Sequence, residues 1–519
     1  MKAGRIELCT FSAAILVVAF QLFVPPVVGM ANNGDFHKVL AGFSLSGDVR
    51  DEYKFVSGTL HFGPEHYLKP TYGSSEQLLA FLSIGVNSLF LRDGSYDLRA
   101  MGFVHAAPFL MSLWLALPLL RGLSPVRRAI CSVVILLVFG DVLYVSQLNS
   151  FYMDTAVLVF LLLSVVFICR VLEWGRRGDA IGMLISLLLM AVSKAQHAPL
   201  GLAAAVLLSI HPALLLPGFS KAARVAVIGV LVAASIYTQQ STHWFYKATP
   251  LFSEIFYGVL PRAADPSAEL KMLGLDESYR QYIGMHAYVA NSPVNDDRFV
   301  KEFLTRTSYG RLGLFFLRKP GRALDLLVAG MTEAGRQRPL MGSYDRSAGR
   351  PEWAESRAFS SWSGAKARAF EGHGAVYLGY AVGLSIAFLT AVGIRRRTLP
   401  CGSLAAGLTL IAMLWAALLI SILGDALDPI RHSLVFTALS DLTLVSLALL
   451  ALSRSSWEQL TKSALSPGRA AAAQPATPKP ESENFTATLT GSSDIRAAPT
   501  CQLHRARFHT NVRYCDCPA

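Results

Sequence analysis

Apolar runs of roughly 18 to 22 residues, separated by short basic clusters, recur along this 519-residue chain and leave few folds open to it. A helix of that length rises about 1.5 Å per residue and so reaches across a hydrocarbon core of about 30 Å. In lipid every backbone N–H and C=O must find its partner within the chain, which restricts spanning structures to helices and closed barrels. The composition agrees: 53% of residues are hydrophobic and 16% charged, against about 25% charged in a soluble domain. The expected fold is an all-α polytopic membrane protein of about ten transmembrane helices, with external interfacial helices and a mostly helical extracytoplasmic loop. The expected spans lie near 9–30, 100–120, 129–147, 153–171, 180–196, 199–216, 222–238, 374–394, 403–423 and 433–453.

The net charge of +12 raises the question of nucleic acid, but the positive residues sit in short segments between apolar runs. Arg121, Arg127 and Arg128 follow the second span, Arg170, Arg176 and Arg177 the fourth, Lys221 and Arg224 the sixth, and Arg395 to Arg397 the eighth. Alternating spans put all of them on one side, which the positive-inside rule makes cytoplasmic, so no nucleic-acid partner is expected and both termini lie inside. The run 9–30 reads as a helix rather than a signal peptide, because it exceeds an h-region of about 7 to 15 residues and meets Pro25 and Pro26 at its end. The stretch 78–91 is excluded as a span: counting it would invert every later basic loop, and it suits an interfacial or re-entrant helix. Cys9, Cys131, Cys169 and Cys401 fall at cytoplasmic span ends and Cys501, Cys515 and Cys517 in the tail, so no external disulfide is expected.

Four regions follow: 1–238, an N-terminal transmembrane module with a first external loop at 31–99; 239–373, a large extracytoplasmic loop; 374–453, the C-terminal transmembrane helices; and 454–519, a cytoplasmic tail expected to be disordered. Within the large loop, 309–329 pairs Leu312, Leu314, Phe315, Phe316 and Leu317 with Arg318, Lys319 and Arg322, as helices lying along headgroups do. Cys501, His504, His509, Cys515 and Cys517 have no spacing that fits a closed zinc site.

No Walker A, dinucleotide-binding, HExxH or GxSxG motif is present. What remains are ionisable residues near the outer ends of spans, where burial is costly. Asp35, in Asn32-Asn33-Gly34-Asp35-Phe36-His37-Lys38, is either the N-cap of a short helix or a catalytic carboxylate. Gln147, Asn149, Tyr152 and Asp154 share a tight hairpin, with Asp141 deeper; a carboxylate there could face Asp35, or could simply complement a helix N-terminus. Lys194, Gln196 and His197 end the fifth span, and Asp425, Asp428, Arg431 and His432 join the last two. Lys194 and Arg431 are cations on the side that disfavours them, which suits an outer-leaflet phosphate, snorkelling, or pairing with a nearby Asp.

An acidic residue just after the first span, another in the next outward loop, and a long external loop before the last spans resemble the GT-C glycosyltransferases, membrane enzymes that take sugar from a polyprenyl-phosphate carrier. Asn33-Gly34-Asp35-Phe36 and Arg431-His432-Ser433-Leu434-Val435-Phe436 are similar to a bacterial subfamily of glycan-biosynthesis hexose transferases (WsfD-like), over residues 9–453. The resemblance implies a hexosyltransferase of the bacterial inner membrane, acting on the extracytoplasmic face with inversion, with a glycan or glycolipid as acceptor and membrane lipids around it. It implies Asp35 as catalytic base and Asp154 as the second acidic residue, with Lys194, Gln196, Arg431 and His432 near the donor phosphate. His37, Asn149, Tyr152, Asp51 and Glu52 would line the acceptor cleft. No metal ligands are assigned, although a divalent metal could assist. Many relatives carry a paired acidic motif in the first loop; here Asp35 precedes Phe36, so Asp48, Asp51 and Glu52 compete with it as base.

Two other readings remain: a flippase or transporter of a lipid-linked glycan, with Asp141, Lys194 and Asp441 along its path, and an O-antigen ligase or polymerase, which would need Arg431 and His432 but not Asp35.

Overall fold

The computed structural model describes residues 4–63, 72–91, 93–215 and 219–452; the tail expected to be disordered, with its Cys and His residues, lies outside the described residues. The chain is a polytopic all-α membrane protein. Among the described residues, seven helices are long and apolar enough to cross a membrane: Arg5–Phe23, Leu98–Gly122, Met153–Trp174, Lys221–Ser241, Gly374–Ile394, Ser403–Leu423 and Leu434–Leu452. An eighth candidate is the pair Pro125–Phe139 and Val142–Leu148, bent by 58°.

Among the described residues seven or eight helices thus have the length and apolarity of a full span, where about ten spans were expected. The runs at 180–196 and 199–216 form helices of 15 and 13 residues, Arg177–Ala191 and Ala198–Ile210. At about 1.5 Å per residue each is shorter than a hydrocarbon core. Hydropathy alone could not show this, because the polar turn between them, with Ser193, Lys194 and His197, is turned inward and buried. The bend in the third run has a local cause. Gly140 ends one helix, and the Asp141 carboxylate caps the next by accepting from Leu143 N at 2.9 Å.

Met153–Trp174 is the central helix. Leu, Val and Phe surround it, and a helix that is apolar on every side belongs in an interior. It packs on Leu98–Ala116, Arg177–Ala191 and Leu434–Leu452. The stretch at 78–91 forms Ser75–Phe90, capped by Ser74 and laid against Leu98–Ala116. Its buried Glu76 lies 3.1 Å from His105, also fully buried.

The first loop contains what an all-helical expectation omits, a three-stranded antiparallel sheet of Leu45–Ser46, Thr59–Phe62 and Ser95–Asp97 in chain order. Leu60 opposes Tyr96 in its register, and both point into the core. The large loop is mostly helical and has its own core, in which Phe252, Phe256, Phe303 and Phe315 join Trp244–Ser253, Asp297–Arg306 and Tyr309–Arg318. Further on, Ser343 O accepts from Gly29 N at 3.0 Å, which fixes this loop against the first one.

Charged groups gather at the two ends of the bundle. The turns at 24–36, 149–153, 192–197 and 424–433 meet at one end, through ion pairs among Asp35, Asp154, Lys194 and Arg431. At the other end Arg121 and Arg128 close on Glu7, and Arg170 on Asp179.

Candidate functional site

The backbone after the first helix is shaped by its two asparagines. The Asn32 carboxamide oxygen accepts from Gly34 N at 2.9 Å and Phe36 N at 3.1 Å, and that of Asn33 accepts from Asp35 N at 3.2 Å. Gly34 takes the left-handed conformation this fold-back needs, with φ of 90°. Phe36 then drops into the core against Phe151 and Tyr152, which turns Asp35 toward the mouth. Tyr152 donates to Ala31 O at 2.8 Å and accepts from Asn33 N at 3.1 Å, so it holds the turn from beneath. The helix that follows, His37–Leu40, has no side-chain cap, so the N-cap reading of Asp35 does not hold.

The Asp35 carboxylate instead lies between two cations, Lys38 Nζ at 2.6 Å and Arg431 Nη1 at 2.9 Å. Burial works against its ionisation, but Lys38 and Arg431 outweigh this and hold the carboxyl well below the usual range. It is therefore an anion at neutral pH, with 18% of its side chain open to solvent.

Arg431 joins the site together. Its Nε donates to Asp428 at 2.7 Å, Nη1 reaches Asp35 at 2.9 Å and Asp154 at 3.8 Å, and Nη2 donates to His432 Nε2 at 3.1 Å. Its guanidinium also lies over the Tyr152 ring at 4.9 Å. Asp428 has left-handed backbone and caps the short helix Pro429–His432, which aims Arg431 inward. Burial opposes the charge on Arg431, yet Asp35 and Asp428 raise its pKa well above the ordinary value. Burial, and Arg431 beside it, hold the His432 imidazole well below its ordinary pKa.

Asp154 receives Lys194 Nζ on both oxygens at 2.9 Å and lies 3.3 Å from His197 Nε2. With Asp154 exposed by 1%, this pair is an interior wall of the site rather than its open face. Gln196 is half-buried on the same turn, without a hydrogen-bond partner among the described residues. His37 lies 3.1 Å from the Tyr246 hydroxyl.

Sequence reasoning passed over Lys38 and Tyr246. Lys38, 14% exposed, lies over the Tyr246 ring at 5.1 Å and is the more accessible of the site's two lysines. The signal was its place one helical turn after Asp35; Tyr246, from the large loop, had none. Glu254 was missed as well. It is fully buried, neither of its oxygens has a hydrogen-bond partner among the described residues, and it begins the π-helical turn Glu254–Val259. Burial and the neighbouring Asp425 push its carboxyl well up. Asp425, 3.7 Å from His432 Nδ1, is raised by burial to about 7.

The remaining candidates sit elsewhere. Asn149 donates to Leu22 O at 3.1 Å and Val28 O at 2.8 Å and is fully buried, a latch under the first loop. Asp51 pairs with Arg346 and Asp48 with Arg50, while Glu52 accepts from Asn32 at 3.0 Å; none of these carboxylates joins the Arg431 network. Asp141 accepts from Trp362 N and Ser363 N, and Asp441 binds Tyr144, Trp362 and Lys366. These two carboxylates anchor the helix Ser361–Phe370, an arrangement unlike a transit path. Among the described residues no three His, Cys, Asp or Glu converge as metal ligands.

Comparison with known proteins adds a family. The family described as YfdI N-terminal transmembrane domain matches residues 2–468, and it is not the WsfD-like subgroup that the short motifs resemble. No curated protein matches the chain. Among solved structures, the oligosaccharyltransferase of Archaeoglobus fulgidus in its apo form is similar at 13% identity and a TM-score of 0.37, over 88% of this chain and 52% of that one. The chain thus spans about half the length of that protein.

Proposed function

The chain belongs to the YfdI N-terminal transmembrane domain family, and on that premise we propose that it is a GT-C-type membrane glycosyltransferase. It moves a hexose from a polyprenyl-phosphate carrier to a hydroxyl of a cell-surface glycan or glycolipid, with inversion, at the extracytoplasmic face of a bacterial inner membrane. Both termini are then cytoplasmic. The observation that supports this most is the partly open Asp35 carboxylate held between Lys38 and Arg431, three residues whose charges suit a proton acceptor beside a phosphate.

The acceptor oxygen attacks the anomeric carbon as the bond from that carbon to the phosphate oxygen breaks. The proton of the acceptor hydroxyl passes to Asp35. The carrier phosphate leaves with the bonding electrons and needs cations more than an acid. Arg431 and Lys38 are the groups placed to meet it. As they turn toward the phosphate, the field that keeps Asp35 a weak base relaxes, so donor binding strengthens the base. Asp154 with Lys194 and His197 fixes Arg431 from behind, and Gln196 and His432 border the phosphate.

The test is transfer itself. Purified protein is given polyprenyl-phosphate hexose labelled in the sugar, together with envelope glycan. The expected result is label covalently attached to the glycan with the opposite anomeric configuration. Transbilayer movement of the donor without any transfer would overturn the proposal in favour of a flippase.

A further inference from the structure

The large loop turns a row of aromatic rings outward. In the π-helical turn Glu254–Val259 every residue is buried except Tyr257, which is 47% exposed. A later segment of the same loop is tied across this turn: Gly284 N donates to Phe256 O at 2.8 Å, and Ala287 N to Ser253 Oγ at 3.1 Å. Ala287 is buried, and on either side of it stand a half-buried His286 and Tyr288, which is 58% exposed. The His286 ring lies 5.6 Å from that of Tyr257, edge to face, and 6.5 Å from that of Tyr288. Single exposed rings are ordinary, but neighbouring ones mark a surface that meets a ligand or a partner.

The row ends at Asp35. Burial of its hydroxyl end holds Tyr288 well above the ordinary tyrosine pKa, and the charge that adds most to this is Asp35. The same holds, in the same order, for the raised hydroxyls of Tyr53 and Tyr246. Three hydroxyls from separate segments thus converge on one carboxylate, and Tyr288 also lies in the field of Tyr53. Tyr53 belongs to the first loop and is 52% exposed. Its φ of 63° is left-handed, which costs a tyrosine free energy and persists only where neighbours hold it. Here Tyr53 N donates to Asn32 O at 2.7 Å, and Gly342 N donates to Tyr53 O at 3.3 Å. Asn32 also shapes the turn that carries Asp35, so one residue sets both the ring and the carboxylate.

We propose that Tyr257, His286, Tyr288 and Tyr53 form the acceptor subsite, where a glycan chain lays its sugar rings against these aromatic faces and brings its reacting hydroxyl to Asp35; this rests on the glycosyltransferase reading of the site. A pyranose has a face of C–H groups, which packs on the negative face of an aromatic ring, and hydroxyls at its edge, which a tyrosine O–H can meet. Tyrosine offers a large, rigid, amphipathic surface at a small loss of conformational entropy. The other common use of such rings is a belt at the membrane interface. The convergence of three hydroxyls on one carboxylate favours the glycan, because belt residues send their polar ends to headgroups and water.

The experiment uses the full chain in a non-ionic detergent, without donor, titrated with delipidated envelope glycan and followed by calorimetry. Tyr257→Ala and Tyr288→Ala, both at exposed positions, should each weaken binding about tenfold. Tyr288→Phe keeps the ring and should recover most of that affinity. In bilayers containing brominated phosphatidylcholine, the emission that Tyr288→Trp adds over wild type should respond to the glycan and escape quenching by the lipid. Because no donor is present, binding is read apart from transfer. A protein that transfers nothing, yet loses glycan affinity in the alanine variants, would keep this surface and sink only the transfer reading. The proposal is overturned if wild type does not bind the glycan, if the alanine variants bind within twofold of wild type, or if the brominated lipid quenches that emission.

Discussion

Arg431→Ala removes a group that touches three carboxylates, and its cost can be worked from the contacts. Removing one partner of a buried ion pair costs about 3–5 kcal/mol, because the other charge is left uncompensated. Asp35 keeps Lys38, Asp154 keeps Lys194, and the side chains of Asp35 and Asp428 are 18% and 26% exposed, so water recovers part of the loss. The lower end, about 3 kcal/mol, is therefore expected. Arg431→Lys keeps the charge but loses the branched geometry and the stacking on Tyr152, and should fall between. The assay is thermal and denaturant unfolding in detergent, run as a double-mutant cycle with Asp35→Asn. Neutralising Asp35 alone leaves Arg431 paired with Asp428 and should cost about 1 kcal/mol. The double variant lacks both the cation and the carboxylate it strands, so the losses should be non-additive by about 1–3 kcal/mol. Additive losses, with coupling under about 0.5 kcal/mol, would refute the idea that Asp35 and Arg431 form one unit.

Two further predictions concern neighbouring groups. Asp425 has its pKa raised to about 7, so between the ordinary carboxyl value and pH 7 the folded state binds more protons than the unfolded chain. Stability should then fall as pH rises across that window and level off above it, and Asp425→Asn should flatten the slope, gaining a few kcal/mol over wild type above pH about 7. Unfolding measured from pH 4 to 8 checks this. Asn149→Ala should leave Leu22 O and Val28 O without their donor and destabilise by about 2–4 kcal/mol, while turnover per folded molecule stays within about twofold.

The membrane architecture was legible because length and apolarity alone fix a span, and seven runs carry both. The two short helices were not, since the hydropathy of 180–216 says nothing of a turn whose polar side chains face inward. The small sheet was hidden for a related reason: its strands are two to four residues long, below the length at which alternation can be read. At the site, Asp35, Asp154, Lys194 and Arg431 stood out as charges at span ends, and the fold brings all four together. Distance in sequence concealed their pairing, because Asp35 and Arg431 are joined only once the first helix packs on Leu98–Ala116 and the last on the central helix. Asn149 and Asp141 carried the same sequence signal yet serve as latches. Polarity at a span end marks a buried hydrogen-bonding duty and does not say whether a ligand shares it.

The most direct measurement separates binding from chemistry at Asp35 and Arg431. Donor affinity and single-turnover transfer are measured on the same preparations of wild type, Asp35→Asn and Arg431→Ala, with polyprenyl-phosphate hexose. Asp35→Asn should hold the donor within about threefold of wild type while transfer falls about 10²-fold or more, and Arg431→Ala should lose donor affinity first. An Asp35→Asn variant that transfers hexose at the wild-type rate would contradict the assignment of that carboxylate as the base.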